Sequence, residues 1–189
     1  MSEQHLKQLN AIHKSFIINL KCVLQGSIKQ ILQKRNNFVI KIHSKNIKSN
    51  LLFFKNHSLC CYQQLIEIAA EDQPAKRNRF RINYVLSSLI YSHKITISLT
   101  TNELDYLPSV TKLYASAGWL EREVWDLYGI FFKDNGDLKR ILTDYGFKGH
   151  PLRKDFPLTG FFELYYSLND KRILSEPVEL SQEYRVFST

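Results

Sequence analysis

The sequence of 189 residues has few cysteines, and their spacing excludes two kinds of site. Cys22, Cys60 and Cys61 are the three present, and two of them are adjacent, so no paired disulfide framework can form and a reducing compartment is expected. Iron-sulfur clusters are usually held by four thiolates, and no C-x-x-C spacing occurs. We therefore expect a chain with no cluster of its own.

Long apolar runs and nucleotide-binding glycine motifs are missing as well. Patches such as Leu51 to Phe54 fall far short of the roughly 18 apolar residues that a membrane-spanning helix needs. The seven glycines form neither G-x-G-x-x-G nor a Walker-type loop. The beginning, MSEQHLKQLN, has neither a secretory hydrophobic region nor the character of a transit peptide. These absences predict a soluble or peripheral protein that is made where it works or trimmed beforehand.

Acidic residues are scarce in the first third of the chain. Residues 1–60 carry ten Lys and Arg against one acid, Glu3, whereas residues 61–189 carry 16 against 17. The net charge of +8 therefore arises entirely in the N-terminal region. Such an asymmetry suits an anionic neighbour, either nucleic acid, lipid or an acidic protein, or it reflects a solvated lysine-rich helix face.

Hydrophobic periodicity predicts an α+β fold. Spacings of three and four from Ser2 to about Lys34 predict a basic helical N-terminal region, residues 1–35. A core domain, residues 36–132, follows, with strands expected at 38–43, 65–70 and 94–100, a long alternating run from the Lys76–Arg81 cluster to Tyr91, and a short helix at about 47–54. Short connections favour antiparallel pairing. We expect a mostly antiparallel sheet packed against helices, with residues 133–189 forming an irregular segment and an extended C-terminal docking arm, the tail from Glu176 to Phe187 lying on a surface.

A central helix is predicted to begin at Pro108 and Ser109, with Ser109 as its N-cap. Its apolar residues form one stripe from Val110 to Leu127 that faces the sheet. Gly118 is costly inside a helix, which suggests that another backbone approaches it closely. Gly129 is the expected C-terminal stop.

The stretch from Trp119 to Gly160 concentrates charge, aromatic rings, five of the seven glycines and two of the five prolines. Its acidic residues and His150 allow an acid-base or metal site to be considered, but no spaced ligand set such as H-E-x-x-H occurs, and Glu121 and Glu123 point to nearly opposite sides of a helix. Arg122 lies four residues before Asp126, where a surface ion pair is the simpler interpretation. His150 suits either a general base or a hydrogen bond in a turn.

Aromatic residues in and after this stretch interleave with cations, a pattern that fits nucleic-acid bases or a protein interface. Charge distinguishes the two, because residues 119–166 hold eight acids and seven bases. A nearly neutral aromatic segment ordered by Gly and Pro favours a protein partner.

The same stretch resembles a known family. Glu121-Arg122-Glu123 followed by WDLYGI from Trp125, then RILTDYGFKGHPLRKDFPLTG from Arg140 to Gly160, is similar to the signature of the 30 kDa subunits of respiratory complex I, the NADH dehydrogenase subunit 9 type. EPVELSQEYRVF from Glu176 resembles the family's C-terminal arm. The resemblance covers roughly residues 25–187. The family usually has His-Pro before Asp137, where this chain has Asn135 and Gly136.

The resemblance implies a non-catalytic core subunit of the peripheral arm of proton-translocating NADH:ubiquinone oxidoreductase. It implies no cofactor, no direct small-molecule substrate and no nucleic acid, and a docking arm on the large subunit that helps form the quinone site. It also implies a peripheral place on the matrix side of the mitochondrial inner membrane, or on the cytoplasmic face of a bacterial membrane. The expected partner-docking residues are Glu121, Arg122, Glu123, Asp126, Arg140, Asp144, Tyr145, His150, Arg153, Lys154, Asp155 and Phe156.

Two other functions stay open on the residues alone. A nucleic-acid-binding module of ribosomal type would use the basic N-terminal region and bind RNA with steep salt dependence. A metal-dependent enzyme would use the acidic cluster.

Overall fold

The computed structural model describes residue 20 and residues 23–24, 26–34, 37–182 and 184–185. The predicted helices of residues 2–19 and the end of the predicted arm, residues 186 and 187, lie outside these ranges. Leu20 and Val23 are helical, and Leu20 is buried in the core.

A five-stranded sheet forms the centre of the protein, in the order β1-β2-β5-β4-β3. Three pairings are antiparallel, and β2 lies parallel to β5. The predicted α+β class with a mostly antiparallel sheet is therefore confirmed. The strands are β1 (Ile28–Lys34), β2 (Asn37–Ile42), β3 (Gln64–Asp72), β4 (Phe80–Ser88) and β5 (His93–Thr101).

Two helices accompany the sheet, α1 (Ile47–Asn56) after a 3-10 turn at Ser44–Asn46, and α2 (Ala117–Tyr128), which packs against β3. Alternate residues of β2, β4 and β5 are buried with the apolar residues of both helices, because successive side chains of a strand point to opposite faces. Phe38, Ile40, Ile82, Tyr84 and Ile97 are typical of this core.

Short strands extend the fold beyond the central sheet. β6 (Leu107–Pro108) lies parallel to β7 (Phe132–Lys133) and thereby connects the chain before α2 to the chain after it. Further on, β8 (Phe162–Ser167) and β9 (Arg172–Pro177) form a separate antiparallel hairpin. No helix among the described residues is long and apolar enough to cross a membrane.

The helical prediction is wrong for residues 28–34, which form strand β1 at the edge of the sheet. Ile28, Ile31 and Leu32 fit a helical spacing, but a seven-residue window is too short to separate helix from strand. Pairing with β2, its neighbour in the sequence, decides the conformation, and a bulge between Ile28 and Gln30 accounts for the irregular alternation. The predicted strand at 38–43 and the helix near 47–54 are confirmed.

The predicted start of the central helix is also wrong, because α2 begins at Ala117. Residues 111–116 form turns with helix-like spacing, and Ser109 bonds Thr111 through its hydroxyl instead of capping a helix. Gly118 faces no other backbone, since an added Cβ would meet only a methyl group of Thr111 at 3.9 Å. Gly129 ends the helix as predicted, in a left-handed conformation with φ of 75°.

Candidate functional site

Residues 139–160, here called the linking segment, have no regular secondary structure but many specific hydrogen bonds to the core domain. The segment follows the turn after β7 and leads to the β8–β9 hairpin. It contacts the core at two clusters, one around Asp126 on α2 and one around Asp72 at the end of β3. These two clusters determine where the hairpin begins.

The first cluster forms around the carboxylate of Asp126, whose side chain is fully buried. Its Oδ2 accepts the backbone N–H groups of Ile141, Leu142 and Thr143 at 3.1, 2.8 and 2.9 Å. Its Oδ1 accepts the Thr143 hydroxyl at 2.6 Å and Nη1 of Arg140 at 3.2 Å. Three consecutive N–H groups converging on one oxygen form an anion nest, here filled by the protein's own side chain.

The nest determines the protonation state of Asp126. Burial alone would raise the pKa of this carboxyl, but the hydrogen bonds from Thr143, Leu142 and Ile141 outweigh it and lower the pKa to about 2. Asp126 is thus an anion at neutral pH, and its charge is stabilised by hydrogen bonds within the protein. It does not pair with Arg122, as the sequence suggested, because the Arg122 guanidinium lies 3.9 Å from Asp137 and donates to the carbonyl of Lys139.

Arg140 and His150 connect the rest of the segment to the same cluster. Nη2 of Arg140 donates to the carbonyl of Gly149 at 2.9 Å, and Nδ1 of His150 lies 2.9 Å from the backbone carbonyl of Asp126. The pKa of His150 is lowered, chiefly by burial. A neutral imidazole held on a helix carbonyl fits the predicted hydrogen-bonding role better than that of a general base.

The second cluster is an ion-pair network at the end of the sheet. Asp72 binds Arg79 through two bonds of 2.8 and 2.9 Å, and its Oδ2 also accepts the backbone N–H of Lys154 at 2.8 Å. Arg79 pairs further with Glu103 at 3.1 Å and Asp155 at 2.9 Å. The Arg79 hydrogen bonds hold the pKa of Asp72 below its usual range.

Arg153 links this network to the end of helix α2. Its guanidinium pairs with Glu103, lies over the Phe80 ring and donates through Nε to the carbonyl of Tyr128 at 2.6 Å. The N–H of Leu152 reaches the carbonyl of Leu127 at 3.1 Å. Since the last carbonyls of a helix have no partners within it, the linking segment supplies them. Gly129 makes room, because an added Cβ would lie 2.5 Å from His150 and 2.6 Å from Arg153.

Glu121 has a separate, internal role. It is fully buried, and its carboxylate accepts the backbone N–H of Val110 at 2.7 Å and the side-chain amide of Asn135 at 2.8 Å. Burial raises its pKa. Asn135 therefore helps to fasten the loop after β7 onto the helix.

The predicted docking residues differ in their contacts and exposure. Glu121, Asp126, Arg140, His150 and Arg153 bond within the chain, while Arg122 and Asp155 make ion pairs at the surface. Phe156 is half-buried between Phe147 and Phe161, with ring centroids 5.8 and 5.4 Å apart. Glu123 is half-buried, and Asp144, Tyr145 and Lys154 are exposed. That these residues dock onto a partner stays a prediction.

The two clusters also contain four residues that were not predicted from the sequence, Asp72, Arg79, Glu103 and Thr143. Asp72 lies 82 residues from Lys154, and spacing along the chain gives no evidence of such a pair. Two features of the sequence are consistent with the pair of Asp72 and Arg79. Asp72 precedes the turn at Pro74, and Arg79 belongs to the basic cluster KRNRFR that follows this turn. Among the residues that the structure describes, no group of three or more His, Cys, Asp or Glu could hold a metal ion.

The β8–β9 hairpin carries most of its apolar residues on one face. Because side chains alternate along a strand, Phe162, Leu164 and Tyr166 share a face with their cross-strand partners Pro177, Ser175 and Ile173. Glu163 and Tyr165 lie on the opposite face, where the Tyr165 hydroxyl bonds Glu176 at 2.8 Å. The apolar face is open, with Leu164 at 57% and Ile173 at 69% exposure. The predicted extended arm thus begins as a hairpin up to Pro177.

Comparison with known proteins identifies the family. Residues 40–162 match the family described as "Respiratory-chain NADH dehydrogenase, 30 Kd subunit". The chain belongs to this family. It is 41% identical over 182 residues to NADH-ubiquinone oxidoreductase subunit 9 of Reclinomonas americana, and the match covers 96% of this chain and 89% of the relative. The resemblance of the stretch from Glu121 to Gly160 is therefore confirmed at the level of the family.

Bacterial and solved relatives extend the comparison. An NADH-quinone oxidoreductase subunit of Erythrobacter litoralis is 56% identical over 126 residues, which cover 67% of this chain and half of that relative. The solved structure titled Nqo5 of the trypsin-resistant fragment (1-134) is 25% identical with a TM-score of 0.57, and the match covers 67% of this chain and 99% of the fragment. Neither the family nor these relatives supports the nucleic-acid alternative.

Proposed function

We propose that this chain is a structural subunit of the peripheral arm of a proton-translocating NADH:quinone oxidoreductase, and that it carries no catalytic group itself. Family membership and the names of its relatives support the assembly. Its role is to hold the large neighbouring subunit that helps form the quinone site. Membrane association comes through the complex, on the matrix side of the inner membrane in a mitochondrion or on the cytoplasmic face in a bacterium.

The apolar face of the β8–β9 hairpin is the observation that carries this proposal. A two-stranded hairpin is marginally stable by itself, and three or more strands or a packed helix are usually needed. This one exposes Phe162, Leu164, Tyr166 and Ile173 together. Exposed contiguous apolar surface with a polar reverse side is typical of a protein interface rich in aromatic anchors. We infer that this face is covered by a neighbouring protein of the complex.

The linking segment makes such docking efficient. Its contacts with Asp126 and Asp72 are internal, so the base of the hairpin is placed before any partner binds. Ordering a loop during association reduces the net affinity, and a segment that is already ordered avoids that loss. The charged residues of the linking segment therefore act by positioning the hairpin. The aromatic face of the hairpin supplies the contact with the neighbouring subunit.

The test compares the same residue type on the two faces of one strand. Tyr166→Ser removes an aromatic group from the apolar face, and Tyr165→Ser does so from the polar face. Because a buried interface anchor is worth about 2 kcal/mol or more, we expect Tyr166→Ser to lower the amount of assembled complex several-fold. Tyr165→Ser should assemble near the wild-type level.

Assembly is measured on native gels, and quinone reduction is measured per assembled complex. We expect the rate per complex to be unchanged in both variants. Normal assembly of Tyr166→Ser together with a specific loss of quinone reduction would contradict the proposal and point to a direct catalytic role.

A further inference from the structure

A second apolar surface lies in the turn between β4 and β5. Leu89, Ile90 and Tyr91 are consecutive and exposed, with Leu89 at 69% and Ile90 at 63% exposure. Leu59, which is also exposed, belongs to the turn after α1, and the Tyr91 hydroxyl donates to the carbonyl of Ser58 in that turn at 2.8 Å. We call Leu59, Leu89, Ile90 and Tyr91 the tip patch.

The tip patch is unusual for a turn. Gly, Pro, Asn, Asp and Ser dominate turns, because they adopt the required backbone angles or bond the backbone. Here three large apolar residues occupy the turn, and both turns contain a non-glycine residue with positive φ, Ser92 at 51° and Cys61 at 47°. The ring of Tyr91 also stacks on His93 with centroids 5.9 Å apart. The patch is thus held in a defined shape.

The tip patch lies at the opposite end of the sheet from the linking segment. Strand β4 runs from Phe80, beside Arg79 and Arg153, to Ser88 at the tip. At about 3.3 Å per residue, the nine residues of this strand separate the two ends by about 26 Å. The tip patch is therefore distinct from the contacts that position the hairpin.

Charged residues are sparse around the tip patch, and the nearest acid along the chain, Glu67, lies on β3 opposite Val85. Residues 56–64 and 82–93 contain no Asp, Glu, Lys or Arg, and the charged residues that border these ranges nearest the turns are Lys55 and Lys94. Lys55 donates to the carbonyl of Leu113, which leaves Lys94 exposed at the edge of the patch. A partner with an apolar surface and an acidic edge would complement this arrangement. Anionic membranes are usually bound by clusters of roughly 4–8 cations, and in the part of the chain that the structure describes these two turns are bordered by Lys55 and Lys94 alone.

We propose that the tip patch is a second docking surface, and that its occupant is a protein neighbour in the assembled complex that presents an apolar surface with acidic residues at its edge. This neighbour differs from the protein that docks on the hairpin, so the chain joins two subunits. The inference rests on the proposed function in one respect, because the neighbour is a subunit of the same assembled complex.

The experiment uses the assembled complex and a photoreactive benzoylphenylalanine at position 90. Matched complexes carry the same group at position 166 on the hairpin or at position 104, where Leu104 is exposed outside both surfaces. After irradiation we expect position 90 to form an adduct with one subunit, position 166 with another, and position 104 with neither. Lys94→Glu should lower the yield from position 90 by about fivefold and Lys94→Arg should not.

Each outcome bears on a different proposal. An adduct from position 166 with none, or only a lipid adduct, from position 90 would overturn the second surface and leave the proposed function intact. Adducts with the same subunit from both positions would also overturn it, because one interface would then suffice. Capture from position 90 without capture from position 166 would support the tip patch and contradict hairpin docking. If the group at position 90 blocks assembly, circular dichroism of the chain shows whether the variant is folded. A folded variant has an obstructed surface, which supports the proposal. If the variant is misfolded, normal assembly of Lys94→Glu with position 104 unaffected would overturn the proposal.

Discussion

Asp126 accepts two hydrogen bonds from Thr143, one from the hydroxyl at 2.6 Å and one from the backbone N–H at 2.9 Å. The Thr143 hydroxyl also accepts Nη1 of Arg140 at 3.2 Å. A buried helix carboxylate is thereby joined to a segment that has no regular secondary structure. The pair shows how an irregular stretch rich in charge is ordered by the helix that precedes it.

Thr143→Val should destabilise the protein, because it removes the hydroxyl and leaves Asp126 with one bond fewer. Hydrogen bonds to charged groups contribute about 1.5–3 kcal/mol, and we expect a loss in that range from urea unfolding. Thr143→Ser retains the hydroxyl and should lose less than about 1 kcal/mol. A Thr143→Val variant as stable as the wild type would show that the hydroxyl makes no net contribution to stability.

The stability of the core domain should fall in acid, and part of this fall should come from protonation of Asp126. Its pKa is about 2 in the folded protein against an ordinary value of 3.8, so the folded state binds fewer protons between these values. The stabilisation is complete above about pH 4, declines as the pH falls toward 2 and amounts to about 2 kcal/mol. Asp72 acts in the same direction because its pKa is lowered, and Glu121 acts in the opposite direction because its pKa is raised.

The measurement is the free energy of unfolding at several pH values for the wild type and Asp126→Asn. The variant should be less stable at neutral pH and should lose less between pH 4 and pH 2. Asp144→Asn, at an exposed position, is the matched control and should follow the wild type. Parallel curves for Asp126→Asn and the wild type would show that Asp126 contributes no such component.

Two glycines with the same backbone conformation should tolerate alanine differently. Gly129 has φ of 75° and Gly146 has φ of 73°, but an added Cβ meets His150 and Arg153 at Gly129 and open space at Gly146. Gly146→Ala should therefore cost about 1 kcal/mol from backbone strain. Gly129→Ala should cost at least about 2 kcal/mol more, because it also displaces two side chains from helix carbonyls. Thermal or urea unfolding of both variants checks the difference, and similar losses would contradict the close packing.

Arg153→Ala should lower the amount of assembled complex more than the rate per assembled complex. The change removes the bond to the Tyr128 carbonyl, and hydrogen bonds to charged groups contribute about 1.5–3 kcal/mol, together with the ion pair with the partly exposed Glu103. The hairpin then loses its fixed base. Lys148→Ala is the control, because Lys148 is an exposed lysine of the same segment and is not among the predicted docking residues. Full assembly of Arg153→Ala with a reduced rate per complex would argue against a positioning role.

Much of the fold follows from local patterns. Apolar runs bounded by turn residues predicted β2 and β3, alternation predicted β4 and β5, and Gly129 predicted the end of α2, because these signals depend on nearby residues. The two errors occurred where local pattern was ambiguous. Ile28–Lys34 has apolar spacing compatible with a helix and becomes a strand through β2, and residues 110–116 continue the helix spacing through turns.

The sequence by itself determined the family, since the motif from Glu121 to Gly160 is long and specific, and it determined the fold class. Only the tertiary structure decided how the charges of that motif are used. Asp126 is the centre of a nest, and Asp72 at the end of β3 and Arg79 just before β4 form the second cluster. The physical reason is that a charge pattern along a chain is compatible with either a partner or the chain itself. The choice depends on which donors the fold brings within about 3 Å, and no spacing in the sequence records this distance.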